Sequence, residues 1–101
     1  MKNAAFVTKS VGELITLYFN FLSRLKIGEE IESFTVTAAV YSGEDAEIAV
    51  LFASPSLVGA AEITQQVHQG VVGVTYLITC TVETSAAQVL QNCAYLVITA
   101  V

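Results

Sequence analysis

The sequence predicts an all-β protein built as a sandwich of antiparallel strands. Segments of alternating apolar and polar residues recur along the chain, and β-branched and aromatic residues are concentrated in them. No strongly supported helix separates these segments, whereas a parallel sheet would need crossover helices. A chain of 101 residues suits one domain, so we expect residues 1–101 to fold as a unit.

Two interpretations stay open for residues 10–28. Apolar residues at helical spacing indicate a helix, with Ser10 and Glu13 as a capping box and Gly28 at its end. A period of two over residues 15–21, rich in aromatic and β-branched side chains, indicates a strand. Propensity favours the strand, with residues 22–26 as a connecting loop or a short helical turn.

The clearest alternation lies in the middle of the chain. Strands are predicted for Ile31–Tyr41, Ala46–Ala53 and Gly73–Glu83, where apolar residues alternate with mostly polar ones. The composition of residues 42–45 predicts a turn, and Gly70 and Gly73 bracket another in which glycine can adopt a positive φ.

The two remaining strands differ from this pattern. Glu62–Gln69 is less regular and more polar, as expected of an edge strand. Gln88–Val101 is apolar on both faces, so it is either central and covered on both sides or in contact with a partner. Together these segments predict an immunoglobulin-like β-sandwich of six strands, or seven with a short strand near Phe6 or Leu57.

The apolar content favours contacts with other chains. Apolar residues make up 54% of the sequence and charged residues only 13%, and a domain this small cannot bury that much apolar surface within itself. We therefore predict a homo-oligomer that also binds other proteins. The predicted interface combines the last strand with the polar segment before it: Val89, Tyr95, Val97, Val101, Gln66 and His68.

The charge distribution argues against two classes of partner. The net charge is −5, and the four basic residues are scattered along the chain. Nucleic-acid and anionic membrane surfaces attract clusters of Lys and Arg, so neither is an expected partner. The first nine residues lack the apolar run of a signal peptide, and no apolar stretch reaches membrane-spanning length. We expect synthesis in the cytoplasm.

The sequence offers few groups for catalysis or metal binding. His68 is the single histidine, and nothing marks a serine nucleophile or an orienting acid for it. Cys80 and Cys93 are too few for a zinc site, and both are predicted to be small buried hydrophobes. We predict no catalytic residue, no metal site and no cofactor.

Several short motifs resemble a family of small bacteriophage structural proteins. They are Lys9-x2-Gly12-Glu13, Tyr18-Phe19-Asn20-Phe21, Gly28-Glu29-x-Ile31-x-Ser33, Ser42-Gly43-x-Asp45, Gly70-x2-Gly73-x2-Tyr76 and Thr84-Ser85. The resemblance, to tail-fibre adaptor or virion-associated proteins with an immunoglobulin-like fold, covers residues 9–101. It implies a non-enzymatic virion protein that joins tail, fibre or head-tail components through contacts with other virion proteins.

Two positions depart from the pattern of that family, and a second function stays open. Asn20 stands where the family carries Asp, and Ala86 and Ala87 stand where a glycine is expected. Because alanine resists positive φ, the second departure concerns the last hairpin. The alternative function is a standalone immunoglobulin-like recognition module that binds a ligand or carbohydrate through its loops, for which Tyr41 is almost the only loop aromatic.

Overall fold

A computed structural model describes residues 5–101 of the chain, which form seven strands. Residues 1–4, the start of the predicted domain and of the segment judged for a signal peptide, lie outside the described residues. The strands are β1 (Ala5–Ser10), β2 (Ile15–Asn20), β3 (Ile31–Ser42), β4 (Leu51–Val58), β5 (Glu62–Val67), β6 (Thr75–Thr84) and β7 (Val89–Thr99).

These strands form two sheets, which confirms the predicted all-β sandwich. A four-stranded sheet has the order β1-β7-β6-β3, and a three-stranded sheet has the order β2-β5-β4. All neighbours are antiparallel except β1, which runs parallel to β7. Within residues 5–101, no helix has the length and apolar character needed to cross a membrane.

The core lies between the two sheets and follows the alternation of each strand. In β6, every second side chain from Tyr76 to Val82 is completely buried, and the side chains between them are half-buried or exposed. The facing sheet contributes Leu17, Phe19, Ile63 and Val67 to the same cluster. Burial of one face per strand is what a period of two produces when two sheets stack.

The strand interpretation of residues 10–28 is confirmed. β2 places Leu17 and Phe19 in the core, while Tyr18 and Asn20 face solvent. A single 3-10 turn at Leu22–Arg24 follows, as expected for the connection. Tertiary burial of the period-two face outweighs the helical spacing of the same residues.

The strand predicted at Ala46–Ala53 was placed too early in the chain. β4 instead spans Leu51–Val58, and Ile48 is 40% exposed in the loop before it. The strand continues through Pro55 because β4 is an edge strand, and the N–H that proline lacks is not needed on the side that has no neighbouring strand. Its pairing with β5 is irregular between Phe52 and Ser56.

The prediction that Glu62–Gln69 is an edge strand was wrong. β5 lies at the centre of the three-stranded sheet, and its strand ends at Val67. The prediction rested on the polar residues Gln66, His68 and Gln69, of which Gln66 is on the outer face and the other two follow the strand, whereas Gln65 is 1% exposed. Its Nε2 donates to the carbonyls of Phe52 and Ala53 at 3.2 and 3.1 Å. The buried amide therefore supplies hydrogen bonds to carbonyls in the segment where β4 is not regularly paired with β5.

Candidate protein-interaction surface

The outer face of the four-stranded sheet is the most uniform exposed surface among the described residues. It is formed by the side chains of β1, β7, β6 and β3 that point away from the three-stranded sheet, and it is rich in threonine. Among the outward positions paired in register, Glu83 at one end is the single charged residue, and the exposed Glu32 lies beside that end in the irregular start of β3. The chain has a net charge of −5, but this face carries little of it. Because the centres of protein interfaces are depleted of charged residues, the face suits a contact with another protein.

An aromatic cluster lies at the opposite end of this face. The rings of Phe6 and Tyr95 stack with centroids 4.7 Å apart, and Tyr41 tilts against Tyr95 at 4.5 Å. Phe6 is 69% exposed and Tyr41 is 59% exposed, so both side chains are largely accessible to solvent. Large, rigid and partly polar aromatic groups are typical anchors of protein interfaces.

Strand register explains why these three rings meet. Phe6 of β1 is opposite Tyr95 of β7, which is opposite Leu77 of β6. Ala39 of β3 completes the row opposite Leu77, and Tyr41, two residues further along β3 on the same face, reaches across β6 to Tyr95. The cluster therefore depends on three edge or near-edge strands that are far apart in the sequence.

The structure divides the predicted interface residues between two surfaces. Val89, Tyr95 and Val97 lie on the outer face of the four-stranded sheet, Val89 at the Glu83 end and the other two at the aromatic end. Val101 lies beyond the end of β7 and is fully exposed. β7 itself is flanked by β1 and β6, with one face in the core and the other half-exposed.

Gln66 and His68 lie on the other side of the sandwich. Gln66 is exposed on the outer face of the three-stranded sheet, opposite Phe52 of β4. The rings of His68 and Phe52 tilt against each other with centroids 4.8 Å apart. These residues and Tyr95 therefore belong to opposite faces, and one flat partner surface cannot contact both sets.

Sequence reasoning did not select Phe6 or Tyr41 for the interface. Phe6 was considered as part of a short strand. Tyr41 was placed at the end of the strand predicted at Ile31–Tyr41, where it does lie, but it was considered for binding only as a loop aromatic of the alternative function. Their association depends on the parallel pairing of β1 with β7, which the local pattern does not encode. Alternation in β3 carried a usable signal, since Tyr41 continues the solvent face of Thr35 and Thr37.

Lys9 anchors the edge of this sheet from the inside. Its side chain is completely buried, and its Nζ donates to the carbonyls of Ser10 and Gln69 at 2.7 and 2.8 Å. Burial lowers the pKa of Lys9, and the nearby Glu13 carboxylate opposes that shift. Glu13 accepts from the Ser10 amide at 2.8 Å, so the Lys9-x2-Gly12-Glu13 motif closes the loop between β1 and β2.

Two further polar contacts fix the loops at the ends of the sandwich. Glu29 accepts hydrogen bonds from the Lys26 amide and the Thr84 hydroxyl, and these lower the pKa of Glu29. Tyr76 donates to Asp45 at 2.6 Å, and burial followed by this carboxylate raises the pKa of Tyr76. Both contacts join loops to strands distant in the sequence, so they hold the frame of the interaction surface.

The two cysteines have different environments. Cys80 faces the core, and burial raises its pKa to about 12. Cys93 lies on the outer face of the four-stranded sheet beside Thr79 and is half-exposed, so the prediction that both are buried holds only for Cys80. Both thiols are free. Within residues 5–101, no three His, Cys, Asp or Glu side chains are grouped to hold a metal ion.

Comparison with protein families supplies the decisive observation. The model of a family described as podophage GP4 fiber-tail adaptor protein gp77 matches residues 9–97. The chain belongs to this family. Comparisons with curated proteins and with solved structures find no match.

The structure accounts for both departures of this gp77-family member from the expected motifs. Asn20 Oδ1 accepts from the Leu22 amide at 2.8 Å, a role that an aspartate oxygen fills equally well. Ala87 adopts φ 62° in the hairpin between β6 and β7, the left-handed conformation that glycine favours. The hairpin is retained because the Thr84 hydroxyl accepts from the Ala86 and Gln88 amides at 3.3 and 3.2 Å.

Proposed function

We propose that this chain is a non-enzymatic structural protein of the podophage virion that joins fibre and tail components through protein-protein contacts. Membership of the fiber-tail adaptor family supports the role. The proposal includes synthesis in the host cytoplasm, incorporation into the virion, and no cofactor, nucleic-acid or membrane partner. It also includes self-association and an immunoglobulin-like variant of the sandwich.

The outer face of the four-stranded sheet, which carries little charge, is the observation that supports this proposal. An adaptor needs a surface that binds another protein without a cofactor or a reaction. The face supplies a flat, threonine-rich area with an anchor formed by Phe6, Tyr41 and Tyr95. Burial of exposed aromatic surface stabilises a contact by about 25 cal/mol per Å², and the low charge keeps the desolvation cost small.

We assign Tyr95, Val97 and Val89 to the contact with a virion partner, together with the two aromatic neighbours of Tyr95. Gln66 and His68 stay predicted interface residues, but they face away from this surface. They therefore stand for the alternative contact on the three-stranded sheet, which Tyr18→Asp tests on the same outer face. Val101 extends the first surface from the end of β7.

The test is incorporation of charged variants into particles. Phages that lack the gene are complemented with the parent, Tyr95→Asp, Val97→Asp or Tyr18→Asp chain. Tyr18 is the matched control, because it is 65% exposed on the outer face of the other sheet. Copies per purified particle are counted by quantitative mass spectrometry, and thermal unfolding of each purified chain verifies folding.

We expect Tyr95→Asp and Val97→Asp to fold and to be depleted from particles at least tenfold, whereas Tyr18→Asp is incorporated like the parent. Depletion by Tyr18→Asp alone would transfer the contact to the three-stranded sheet. Unfolding of the Tyr95 and Val97 variants would assign those residues to the core. Absence of the parent chain from purified particles would refute the virion role.

A further inference from the structure

The four edge strands of the sandwich differ in how they avoid pairing with other chains. β1 and β2 have six residues each, and β1 also directs the buried Lys9 inward. β4 contains Pro55 and an irregular segment in which Ala53 has φ 64°. Short length, proline, irregular pairing and an inward charge all discourage the addition of a further strand.

β3 has none of these features along its central part. It has 12 residues, and its pairing with β6 is irregular only near its two ends, between Ile31 and Ser33 and between Val40 and Ser42. Residues 33–40 between them are regular and contain no charged residue, proline or glycine. The edge of β3 is therefore a regular, neutral row of backbone donors and acceptors.

The sandwich is also open on the β3 side. The core-facing residues Phe34, Val36, Ala38 and Val40 are only half-buried, unlike their counterparts in β6. β4 lies against β3 at this margin, and Leu57 remains 38% exposed although it is paired with the buried Ile63. Apolar side chains that point toward the core and stay exposed indicate that a further layer covers this margin.

We propose that β3 pairs antiparallel, through residues 33–40, with β3 of a second copy of this chain across a twofold axis. The two four-stranded sheets then form one sheet of eight strands. The inference rests on the proposed function, which includes self-association of the chain. It adds which strand forms the contact between the two copies. It also places two aromatic clusters on one continuous outer face.

The pattern of β3 fits a second copy of itself. Antiparallel pairing sets threonines against the threonine face of the partner and apolar residues against its apolar face. Glu32 of each copy then lies opposite the uncharged end of the other strand, whereas parallel self-pairing would set two Glu32 residues side by side. In a chain of net charge −5, this neutral edge is where two copies approach without repulsion.

The test uses charges placed on the edge. One variant combines Thr35→Lys with Thr37→Lys, and a second combines Thr35→Glu with Thr37→Glu; both positions are exposed. Thr8→Lys is the matched control, since Thr8 is exposed on the same face at the opposite edge of the sheet. Self-association of the purified chains is measured by sedimentation velocity and native mass spectrometry.

We expect the parent and Thr8→Lys chains to dimerise, and each double variant to have a dimer dissociation constant raised about tenfold or more. The lysine changes bring the net charge closer to zero, so general repulsion does not explain a loss of dimer. Mixing the lysine and glutamate variants restores dimers that contain one of each, because a twofold axis brings the same residues together.

Three results would overturn the inference. They are a parent chain that stays monomeric at high concentration, a mixture that stays monomeric, and a loss of association in Thr8→Lys equal to that of the lysine variant. The last result would indicate head-to-tail pairing of β3 with β1. A monomeric chain that still enters particles in a Tyr95-dependent manner would leave the adaptor role intact, so the two proposals fail separately.

Discussion

Lys9 provides the sharpest test of how the sheet edge is held. In Lys9→Met the side chain keeps its length and apolar stem but loses the ammonium group, which donates to the carbonyls of Ser10 and Gln69 at 2.7 and 2.8 Å. Removing the charged donor leaves the Gln69 carbonyl without its partner, at a cost of about 1–3 kcal/mol, whereas the Ser10 carbonyl still accepts from the Glu13 amide at 3.0 Å. The methionine chain also avoids burying a charged ammonium group, the desolvation that lowers the pKa of Lys9, and this offsets part of the loss.

The net expectation is a decrease of about 2 kcal/mol in the free energy of unfolding, or about 8–16 °C in Tm for a domain of this size. Urea unfolding and calorimetry measure both quantities. Lys26→Met is the control, because Lys26 is exposed and its loss is expected to change stability by less than about 0.5 kcal/mol. A Lys9→Met chain as stable as the parent would refute the anchoring role, as would an equal loss in the control.

Three further predictions concern the last hairpin, the acid limb and the thiols. Ala87→Gly relieves a left-handed alanine at φ 62° and is expected to stabilise the chain by about 0.5–1 kcal/mol in urea unfolding, whereas Ala86→Gly in the same hairpin destabilises it by a similar amount. The pKa of Glu29 is lowered in the folded chain, so its contribution to stability is complete above about pH 4.5 and disappears as the pH falls through the lowered value. Glu29→Gln is therefore expected to reduce the loss of unfolding free energy at acid pH. An unchanged loss at acid pH would contradict the assignment. Cys93 is half-exposed and is expected to react with a disulfide reagent in the folded chain. Cys80 is completely buried and has a pKa of about 12, so it is expected to react only when the chain unfolds. Reaction of both thiols at the same rate would place Cys80 outside the core.

Local alternation was sufficient to predict most of the fold. β3 and β6 were placed to within about two residues, because each alternates between a more buried apolar face and a more exposed face along its length. The strand in residues 15–21 was predicted from its period of two and from the propensity of its aromatic and β-branched residues, and β2 lies there.

The errors have specific tertiary causes. The position of β4 depends on an irregular pairing that is completed by the buried amide of Gln65, a contact between two strands that no local window contains. β5 was predicted as an edge strand because Gln66, His68 and Gln69 are polar, but it lies at the centre of its sheet. Lys9 was counted among scattered surface charges, but its burial depends on the Gln69 carbonyl 60 positions later.

The interaction surface was predictable only in part. Tyr95 and Val97 were selected because β7 is apolar on both faces, and the structure places them on the exposed side of a central strand. Phe6 and Tyr41 join them through sheet order, which sequence pattern does not specify. Gln66 and His68 were grouped with the last strand by polarity alone, and they lie on the opposite sheet.

The central claim is that the outer face of the four-stranded sheet is covered in the virion, and Cys93 reports on that face directly. The measurement compares the rate of thiol labelling of Cys93 in the free chain and in intact particles. A cysteine introduced by Thr64→Cys in a Cys93→Ser chain serves as the control, because Thr64 is also half-exposed but lies on the outer face of the other sheet. We predict that assembly slows labelling of Cys93 at least tenfold and leaves the control unchanged. Equal rates for Cys93 in the free chain and in particles would contradict the account.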